Sequence, residues 1–315
     1  MPFDFIDLFA GIGGTRLAFD KSGGRCVLSS EIDKFACRTY KENFGITPAG
    51  DILDLNERDI PDHDILVAGF PCQPFSLAGV SKRKSLKMPQ GFDCESKGQL
   101  FFKIVEILKA KKPKAFLLEN VKHLVFHNQG ETFRVIRKQL EDAGYDVYYQ
   151  IIDASKLVPQ HRERVYIVGF RKNLDIRFVF PEIENRNPKI KEILEKKVNP
   201  KYTISDKLWQ WLIEYREKHK LKGNGFGYSL VDEEGIARTL SARYHKDGSE
   251  ILVPQKNKNP RRLTPSECAA LMGFPSNFKI PVSDTQAYRQ FGNSVVVPIV
   301  ERVVNEMVRC MDQSA

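Results

Sequence analysis

The sequence predicts an α/β fold, with a doubly wound, mostly parallel sheet and a smaller domain of mixed structure. Two observations support this prediction. Through residues 1–170, short apolar runs with strand character alternate with segments of helical periodicity, and this order is typical of a parallel sheet covered by helices on both faces. From about residue 172 to 260 the alternation stops, and charged, glycine-rich and aromatic segments replace it.

Each element of the first part follows from its own pattern. Strands are predicted where short apolar runs occur, at residues 3–9, 25–30, 64–68, 115–118, 146–152 and 164–170. Helices are predicted between them, at residues 14–21, 34–43, 99–110 and 131–143. The last two strands are close in sequence, so we expect them to form an antiparallel edge of the sheet.

The change of texture predicts the domain organisation. We expect one domain from residues 1–171 plus 262–315 and a second from residues 172–261, with the final helix, predicted at 295–307, returning to the first domain beside the first strand. In the second domain, Trp209, Trp211 and Tyr215 lie in a helical segment at 207–220, where we expect them to pack the domain.

Composition narrows the class of protein. The 315 residues are 42% hydrophobic and 28% charged, which is ordinary for a globular protein. No run is apolar enough to span a membrane and the N-terminus lacks the regions of a signal peptide, so we expect a cytosolic protein without membrane contact. A net charge of +9 suits a polyanionic partner, although a basic enzyme without one remains an alternative.

A glycine-rich segment follows the first predicted strand and opens a helix. It reads Asp7-Leu8-Phe9-Ala10-Gly11-Ile12-Gly13-Gly14, and glycines at such a turn let a ligand approach the backbone, although a tight turn alone would also explain them. About 20 residues further, Glu31 is positioned for ribose hydroxyls or for capping the next helix. Asp51 could meet an adenine amino group. The spacing indicates a nucleoside ligand, and the absence of a Walker lysine argues against a nucleoside triphosphatase.

Three further segments place reactive side chains at strand ends. Gly69-Phe70-Pro71-Cys72-Gln73-Pro74-Phe75-Ser76 puts a cysteine on a proline-flanked turn, where a nucleophile would lie. Glu119 ends another predicted strand, so it could face Cys72. Arg162 and Arg164 share a face if that segment is extended. His123 and His127 lack a third ligand, so we predict no metal site.

Together these segments resemble the DNA (cytosine-5)-methyltransferases of bacterial restriction-modification systems. The matching blocks run from residue 5 to residue 298 in the family's order and leave only the 172–260 region loosely matched. They comprise the glycine-rich start, the Pro-Cys block, Glu119-Asn120-Val121, Gln160-His161-Arg162-Glu163-Arg164, Arg262-Leu263-Thr264-Pro265 with Glu267-Cys268, and Gly292-Asn293-Ser294.

The resemblance implies a Rossmann-like methyltransferase fold and a DNA (cytosine-5-)-methyltransferase activity. A methyl group would pass from S-adenosyl-L-methionine to C5 of a cytosine flipped out of a specific short duplex sequence, leaving S-adenosyl-L-homocysteine. The first domain would be catalytic and cofactor-binding, and residues 172–261 would recognise the target. Cys72 would attack C6, Glu119 would act at N3, Arg164 would hold O2 and Arg162 would support the site.

The resemblance also implies two sets of binding residues. The cofactor would contact Phe9, Ala10, Gly11, Ile12, Gly13, Glu31, Ile32, Asp51, Ile52, Pro71, Leu100, Asn293, Ser294 and Val295. Double-stranded DNA would contact Gln73, Ser76, Lys82, Arg83, Lys84, Lys87, Arg238, Thr239, Arg243 and Tyr244.

The family usually acts as a monomer in the bacterial cytosol and protects host DNA beside a cognate restriction endonuclease. The sequence specifies neither the recognised site nor the base that removes the C5 proton. Three alternatives remain. The first is a transfer RNA cytosine-5 methyltransferase of the same fold, against which the Pro-Cys block and the long recognition region argue. The others are a non-catalytic DNA-binding subunit and a thiol hydrolase, for which no histidine arrangement is found.

Overall fold

A six-stranded sheet forms the centre of the protein. The computed structural model describes residues 2–71 and 95–314, with side chains from residue 99 onward in the second range. The strand order is β2-β1-β3-β4-β6-β5. The strands are β1 (Phe3–Leu8), β2 (Gly24–Ser30), β3 (Ile65–Ala68), β4 (Ala115–Val121), β5 (Tyr145–Asp153) and β6 (Glu163–Arg171).

The direction of the strands confirms the predicted sheet. The pairs β1–β2, β1–β3 and β3–β4 are parallel, whereas β6 runs antiparallel to both β4 and β5. The antiparallel edge predicted for the last two strands is therefore present. One boundary differs in a way that matters: β4 continues three residues past the predicted end at Leu118, because its partner β6 is long enough to pair with Glu119, Asn120 and Val121.

Helices cover both faces of the sheet. The helices of the described residues are α1 (Gly14–Lys21), α2 (Lys34–Phe44), α3 (Glu95–Lys111), the single turn α4 (His123–Phe126), α5 (Glu131–Asp142), α6 (Asp206–Leu221), α7 (Pro265–Leu271), α8 (Asp284–Asn293) and α9 (Val297–Gln313), of which α6 lies in the 172–261 region.

The alternation of side chains along β1 divides the core into two layers. Phe5 points to one face, where it packs in a cluster with Phe19 of α1 and Val303 of α9. The next residue, Ile6, points to the other face and belongs to a second cluster with Ile104 of α3. Successive residues of a strand face opposite sides, so both layers need apolar residues in β1.

The C-terminal helix returns to the start of the chain. α9 packs against α1, which directly follows the first strand. It begins two residues later than predicted, at Val297, because Pro298 suits the first turn of a helix and lacks the N–H that an interior position would need. The two preceding helices, α7 and α8, carry the chain from the second region back to this position.

Residues 172–261 contain mixed structure, as predicted. This region holds α6 and most of a two-stranded antiparallel sheet of β7 (Leu252–Gln255) and β8 (Lys258–Arg262). Its Tyr244 belongs to the same buried cluster as Phe5 of the large sheet, so the two regions share a core. The division into two domains stays a prediction. Trp209 packs against Tyr228, as expected, whereas Trp211 is 49% exposed.

Across residues 2–71 and 95–314, none of the helices combines the length and the apolar character needed to cross a bilayer.

Candidate active site

The candidate site lies where the strand order changes direction. From β1 the chain moves to β2 on one side, and then to β3 on the other. In a doubly wound sheet the loops that leave the carboxyl ends of such strands open a crevice, which is the usual place for a ligand. The loop after β1 begins at Phe9, and the loop after β3 begins at Gly69.

The turn after β1 needs its glycines. Phe9, Gly11 and Gly13 all have positive φ angles, of 59°, 55° and 85°. The Gly13 amide donates to the Ala10 carbonyl oxygen at 2.8 Å, which closes the turn just before α1. A Cβ at Gly13 would lie 2.2 Å from the ring of Phe44, whereas one at Gly11 would meet no atom within 4 Å. The turn is therefore packed below Gly13 and open beside Gly11.

Glu31 holds this turn against the end of β2. One carboxylate oxygen accepts a hydrogen bond from the Gly11 amide at 2.9 Å, and the other accepts from the amides of Ile32 and Asp33 at 2.8 and 2.7 Å. The helix α2 that follows is capped by the side chain of Asp33, not by Glu31. Of the two roles considered for Glu31, the capping role is wrong. Its oxygens retain lone pairs for further donors such as hydroxyl groups.

The residues expected around an adenine ring lie near the carboxyl end of β2, beside the glycine-rich turn. Ile32 is 71% exposed, which is unusual for an isoleucine and leaves an apolar surface for a flat ring. Asp51 and Ile52 follow Ala49, whose backbone is hydrogen-bonded to β2 and to the amide of Glu31. Ile52 is 2% exposed, so its side chain supports the wall from beneath. These carboxylates and apolar surfaces fit a nucleoside.

The Gly-Asn-Ser block lies against the turn from the other side. A Cβ at Gly14 would lie 2.6 Å from Ser294 Oγ and 3.1 Å from Val295 Cγ2. Gly14 thus permits contact between α1 and residues that are 280 positions later in the chain. Asn293 is exposed. Among the remaining predicted cofactor contacts, Ala10 and Ile12 are buried, and Pro71 and Leu100 are half-buried.

Glu119 and Arg164 form an ion pair on neighbouring strands. Arg164 Nε lies 3.1 Å from Glu119 Oε1, and each side chain is 17% exposed. Burial raises the pKa of Glu119, while the charges of Arg164 and Arg162 act in the opposite direction. The net shift is upward, so the carboxyl group holds its proton to a higher pH than an exposed glutamate does.

The end of β3 is tied to the end of β4 beside this pair. Asn120 is buried, and its side-chain amide donates to the carbonyl oxygen of Phe70 at 3.1 Å. A Cβ at Gly69 would lie 3.8 Å from Glu119 Oε2. The Glu119 carboxylate therefore lies beside the chain that leads to Cys72. Cys72 itself lies outside the described residues.

Arg162 has different surroundings from Arg164. It is buried, and its guanidinium donates to the carbonyl oxygens of Leu240 at 2.7 Å, Gly292 at 3.0 Å and Ser294 at 2.7 Å. These bonds fix the backbone at residues 240, 292 and 294 relative to β6, so they join three segments that are distant in sequence.

Of the predicted DNA contacts in the described chain, Arg238 and Arg243 are exposed. Thr239 is half-buried, and its hydroxyl donates to the carbonyl oxygen of His161 at 2.5 Å. Tyr244 is fully buried and its hydroxyl donates to the Ile251 carbonyl oxygen at 2.6 Å, so its position favours packing over base contact. The other predicted contacts lie outside the described residues: Gln73, Ser76, Lys82, Arg83, Lys84 and Lys87.

Two residues gain roles that the sequence analysis did not assign. The first is Asn120, which ties the end of β4 to Phe70. The second is Gln160, which is fully buried. Its side chain donates to the Leu271 carbonyl oxygen at 2.8 Å and accepts from the Leu240 amide at 3.1 Å. In the sequence, the only indication of these roles is that both are polar residues inside the two motifs that carry Glu119 and Arg164. A buried amide group needs partners, but the sequence does not say which.

Comparisons with known proteins agree with this geometry. The family described as C-5 cytosine-specific DNA methylase matches residues 3–309. The Type II methyltransferase M1.ScrFI of Lactococcus lactis subsp. cremoris is 52% identical over 318 residues, which cover 99% of this chain and 79% of that protein. The Type II methyltransferase M.NlaX of Neisseria lactamica is 53% identical over 310 residues, 97% of this chain and 96% of that protein.

Solved structures extend the likeness at the level of the fold. The S. pombe Dnmt2 methyltransferase superposes with a TM-score of 0.76 at 19% identity, over 98% of this chain and 99% of that chain. An Entamoeba histolytica methyltransferase gives 0.75 at 21% identity, over 98% of both chains. The extent of the sequence match, with the glycine-rich turn and the Glu119–Arg164 pair at one edge of the sheet, places this chain in the family of C-5 cytosine-specific DNA methylases.

Proposed function

We propose that this DNA methylase transfers a methyl group from S-adenosyl-L-methionine to C5 of a cytosine flipped out of a short, specific duplex sequence, through a covalent bond between Cys72 and C6. One observation carries the proposal. The chain that leads to Cys72 leaves β3 beside the carboxyl group of Glu119, whose pKa is raised and whose position is fixed by Arg164.

Cys72 supplies the nucleophile. Cytosine C5 is a poor nucleophile, and addition of a thiolate at C6 breaks the C5–C6 double bond and places electron density at C5. S-adenosyl-L-methionine, when bound, supplies an electrophilic methyl group for that carbon. After C5 loses its proton, the electron pair restores the double bond and expels the Cys72 thiolate.

Glu119 and Arg164 stabilise the charge that this addition creates. Negative charge moves toward N3 as sulfur bonds to C6, so a hydrogen-bond donor at N3 lowers the barrier. A carboxyl group can donate only when it is protonated, and the burial of Glu119 favours that form. Arg164 orients the carboxyl group and would donate to O2 of the base.

The residues around the glycine-rich turn would hold the cofactor. Glu31 would accept hydrogen bonds from the ribose hydroxyls, because Gly11, Ile32 and Asp33 already fix its carboxylate. The exposed side chain of Ile32 would pack on the adenine. The remaining contacts would come from Phe9, Ala10, Ile12, Gly13, Asp51, Ile52, Pro71, Leu100, Asn293, Ser294 and Val295.

Duplex DNA would be held by basic residues. Extrusion of a base costs a few kcal/mol, and contacts with phosphates offset this cost. In the 172–261 recognition region, Arg238 and Arg243 are exposed and suited to phosphate or guanine contacts. Further contacts are proposed for Thr239, Gln73, Ser76, Lys82, Arg83, Lys84 and Lys87. Tyr244 would act indirectly, by packing this region.

The relatives named as Type II methyltransferases suggest the biological role. We propose that the enzyme works as a cytoplasmic monomer and protects host DNA from a cognate restriction endonuclease. Methylation at one defined sequence is the property that such protection needs.

Bisulfite sequencing of plasmid DNA from cells that express the protein tests the function, because it reports the modified base and its context together. We expect full methylation of one cytosine within one short sequence. Purified enzyme with tritiated cofactor should then label a duplex of that sequence and leave transfer RNA unlabelled. Labelling of transfer RNA alone would overturn the DNA assignment and favour the RNA methyltransferase.

A further inference from the structure

The guanidinium of Arg162 connects the recognition region to residues 292–294, which border the glycine-rich turn. It reaches the Leu240 carbonyl oxygen in the recognition region and the carbonyl oxygens of Gly292 and Ser294 at the end of α8. Hydrogen bonds from a charged donor are stronger than neutral ones, and Arg162 is only 2% exposed. These bonds therefore fix the three backbone positions relative to one another.

Residues 237–242, here called the recognition segment, are hydrogen-bonded at Ala237 and Leu240 to residues 159–162, which include Arg162. Leu240 is held on both sides, since its amide donates to Gln160 and its carbonyl oxygen accepts from Arg162. Three residues earlier, the Ala237 carbonyl oxygen accepts from the His161 amide at 2.9 Å. Displacement of residues 237–240 would thus be transmitted to Arg162.

Direct backbone contact strengthens the link on the other side. A Cβ at Gly292 would lie 2.3 Å from the carbonyl carbon of Ser241 and 2.4 Å from the amide nitrogen of Ala242. Only glycine allows the recognition segment to approach α8 this closely. Two residues later, Ser294 lies against Gly14 in the first turn of α1.

We propose that Arg162 is a positioning residue that couples target recognition to cofactor binding: duplex binding at residues 237–245 and cofactor binding at the glycine-rich turn favour the same arrangement of residues 292–294. This inference rests on the proposed function. Coupling of this kind is reciprocal, so each ligand tightens the binding of the other by the same factor.

The experiment measures the affinity for S-adenosyl-L-homocysteine by calorimetry, with and without a saturating duplex of the sequence found by bisulfite sequencing. For the wild-type enzyme we expect the duplex to tighten binding at least about fivefold. Arg162→Lys keeps the charge, but one ammonium group cannot reach three carbonyl oxygens in the same geometry, so we expect the factor to fall below about twofold.

Arg261→Lys is the matched control. Arg261 is also a buried arginine at the base of the recognition region, but its guanidinium pairs with Glu267 of α7, at 2.7 and 2.8 Å. We expect this variant to lose stability and to keep the coupling factor. If both variants lose the factor, the effect is general loosening and the assignment to Arg162 fails. It also fails if Arg162→Lys keeps the factor or the wild type has none.

A second measurement needs no variant. Hydrogen exchange of the wild-type enzyme without DNA should slow in residues 237–245 when S-adenosyl-L-homocysteine is added, and should stay unchanged in the β7–β8 hairpin. Unchanged exchange in residues 237–245 would contradict the coupling even if Arg162→Lys does not fold. Methyl transfer by the wild-type enzyme to the same duplex tests the proposed function separately.

Discussion

Arg164 and Glu119 meet diagonally across two antiparallel strands. Glu119 of β4 is paired with Tyr166 of β6, and Arg164 lies two residues from that pair on the same face of the sheet. This register brings Arg164 Nε to 3.1 Å from Glu119 Oε1. An ion pair normally lowers the pKa of a carboxyl group, but burial prevails here and raises the pKa of Glu119. The pair thus holds the Glu119 carboxyl group in a fixed direction, and burial favours its protonated form.

The pH dependence of kcat tests the role of Glu119. Because the protonated carboxyl group is the active form, we expect kcat to fall as the pH rises through its raised pKa. Glu119→Gln keeps a hydrogen-bond donor that does not titrate, but an amide cannot transfer a proton to N3, so the variant should lower kcat about 100-fold and remove the fall with rising pH. Single-turnover rates at pH values above 4.5, the ordinary pKa of a glutamate, measure both effects. An unchanged fall in Glu119→Gln would assign the titration to another group.

Replacement of the proposed nucleophile should separate chemistry from binding. We expect Cys72→Ser to abolish methyl transfer while its affinity for S-adenosyl-L-homocysteine stays within about twofold, because the weaker nucleophile changes only the bond-forming step. Cys310→Ser is the control, since Cys310 lies in α9. Near-normal methylation by Cys72→Ser would refute the assignment.

A covalent complex with 5-fluorocytosine gives an independent test of the same residue. Fluorine at C5 cannot leave as a proton does, so the bond between Cys72 and C6 should persist after methyl transfer. Denaturing electrophoresis should then show the wild-type enzyme attached to a duplex with 5-fluorocytosine at the target position. Free migration of the wild-type enzyme would exclude a stable adduct.

Two glycines with almost the same backbone angle allow a test of the turn. Gly13 and Gly23 have φ angles of 85° and 86°, but only at Gly13 would a Cβ clash, 2.2 Å from Phe44. Each alanine substitution costs about 1 kcal/mol for the positive φ. We expect Gly13→Ala to lose about 2 kcal/mol more than Gly23→Ala in urea unfolding, and to weaken binding of S-adenosyl-L-homocysteine at least tenfold. Equal losses in the two variants would mean that Phe44 moves aside freely.

Asp7 should make the stability depend on pH. It is 1% exposed in β1, and burial raises its pKa from 3.8 to about 8, with Arg16 acting against the shift and Asp20 and Glu31 adding to it. Between these two pKa values the folded protein holds a proton that the unfolded chain has released. Asp7 therefore reduces the free energy of unfolding as the pH rises from 4 to 8, by up to about 1.4 kcal/mol per pH unit.

Chemical denaturation at pH 5 and pH 8 measures this effect. Asp7→Asn imitates the protonated acid, so it should be more stable than the wild type at pH 8 and closer to it at pH 5. Asp4→Asn on the same strand is the control. Hydrogen bonding to Arg25 lowers the pKa of Asp4, so Asp4 is ionised in both the folded and unfolded states throughout this range. Its substitution should shift the stability equally at both pH values. A pH-independent effect of Asp7→Asn would show that Asp7 is ionised when buried.

The sheet and the glycine-rich turn were predictable because their signals are local. Strand and helix periodicity placed α1 at its observed bounds, and Gly11, Gly13 and Glu31 follow from strand-end positions about 20 residues apart. Side-chain burial was less predictable. Tyr244 lies in a polar segment that suggested an exposed contact, but it is fully buried. Its hydroxyl group donates to the Ile251 carbonyl oxygen and accepts from the Leu263 amide, and these partners are distant enough in the chain that the segment alone does not indicate them.

The sequence by itself determined the fold class and the family, and it predicts the identity of the reactive groups, because these depend on residue types at fixed spacings along the chain. Only the tertiary structure decided which group meets which. The register of β4 against β6 joined Arg164 to Glu119, and chain folding across 130 residues joined Arg162 to Gly292. Such contacts depend on strand pairing and close packing between distant segments, for which a spacing along the chain contains no measure.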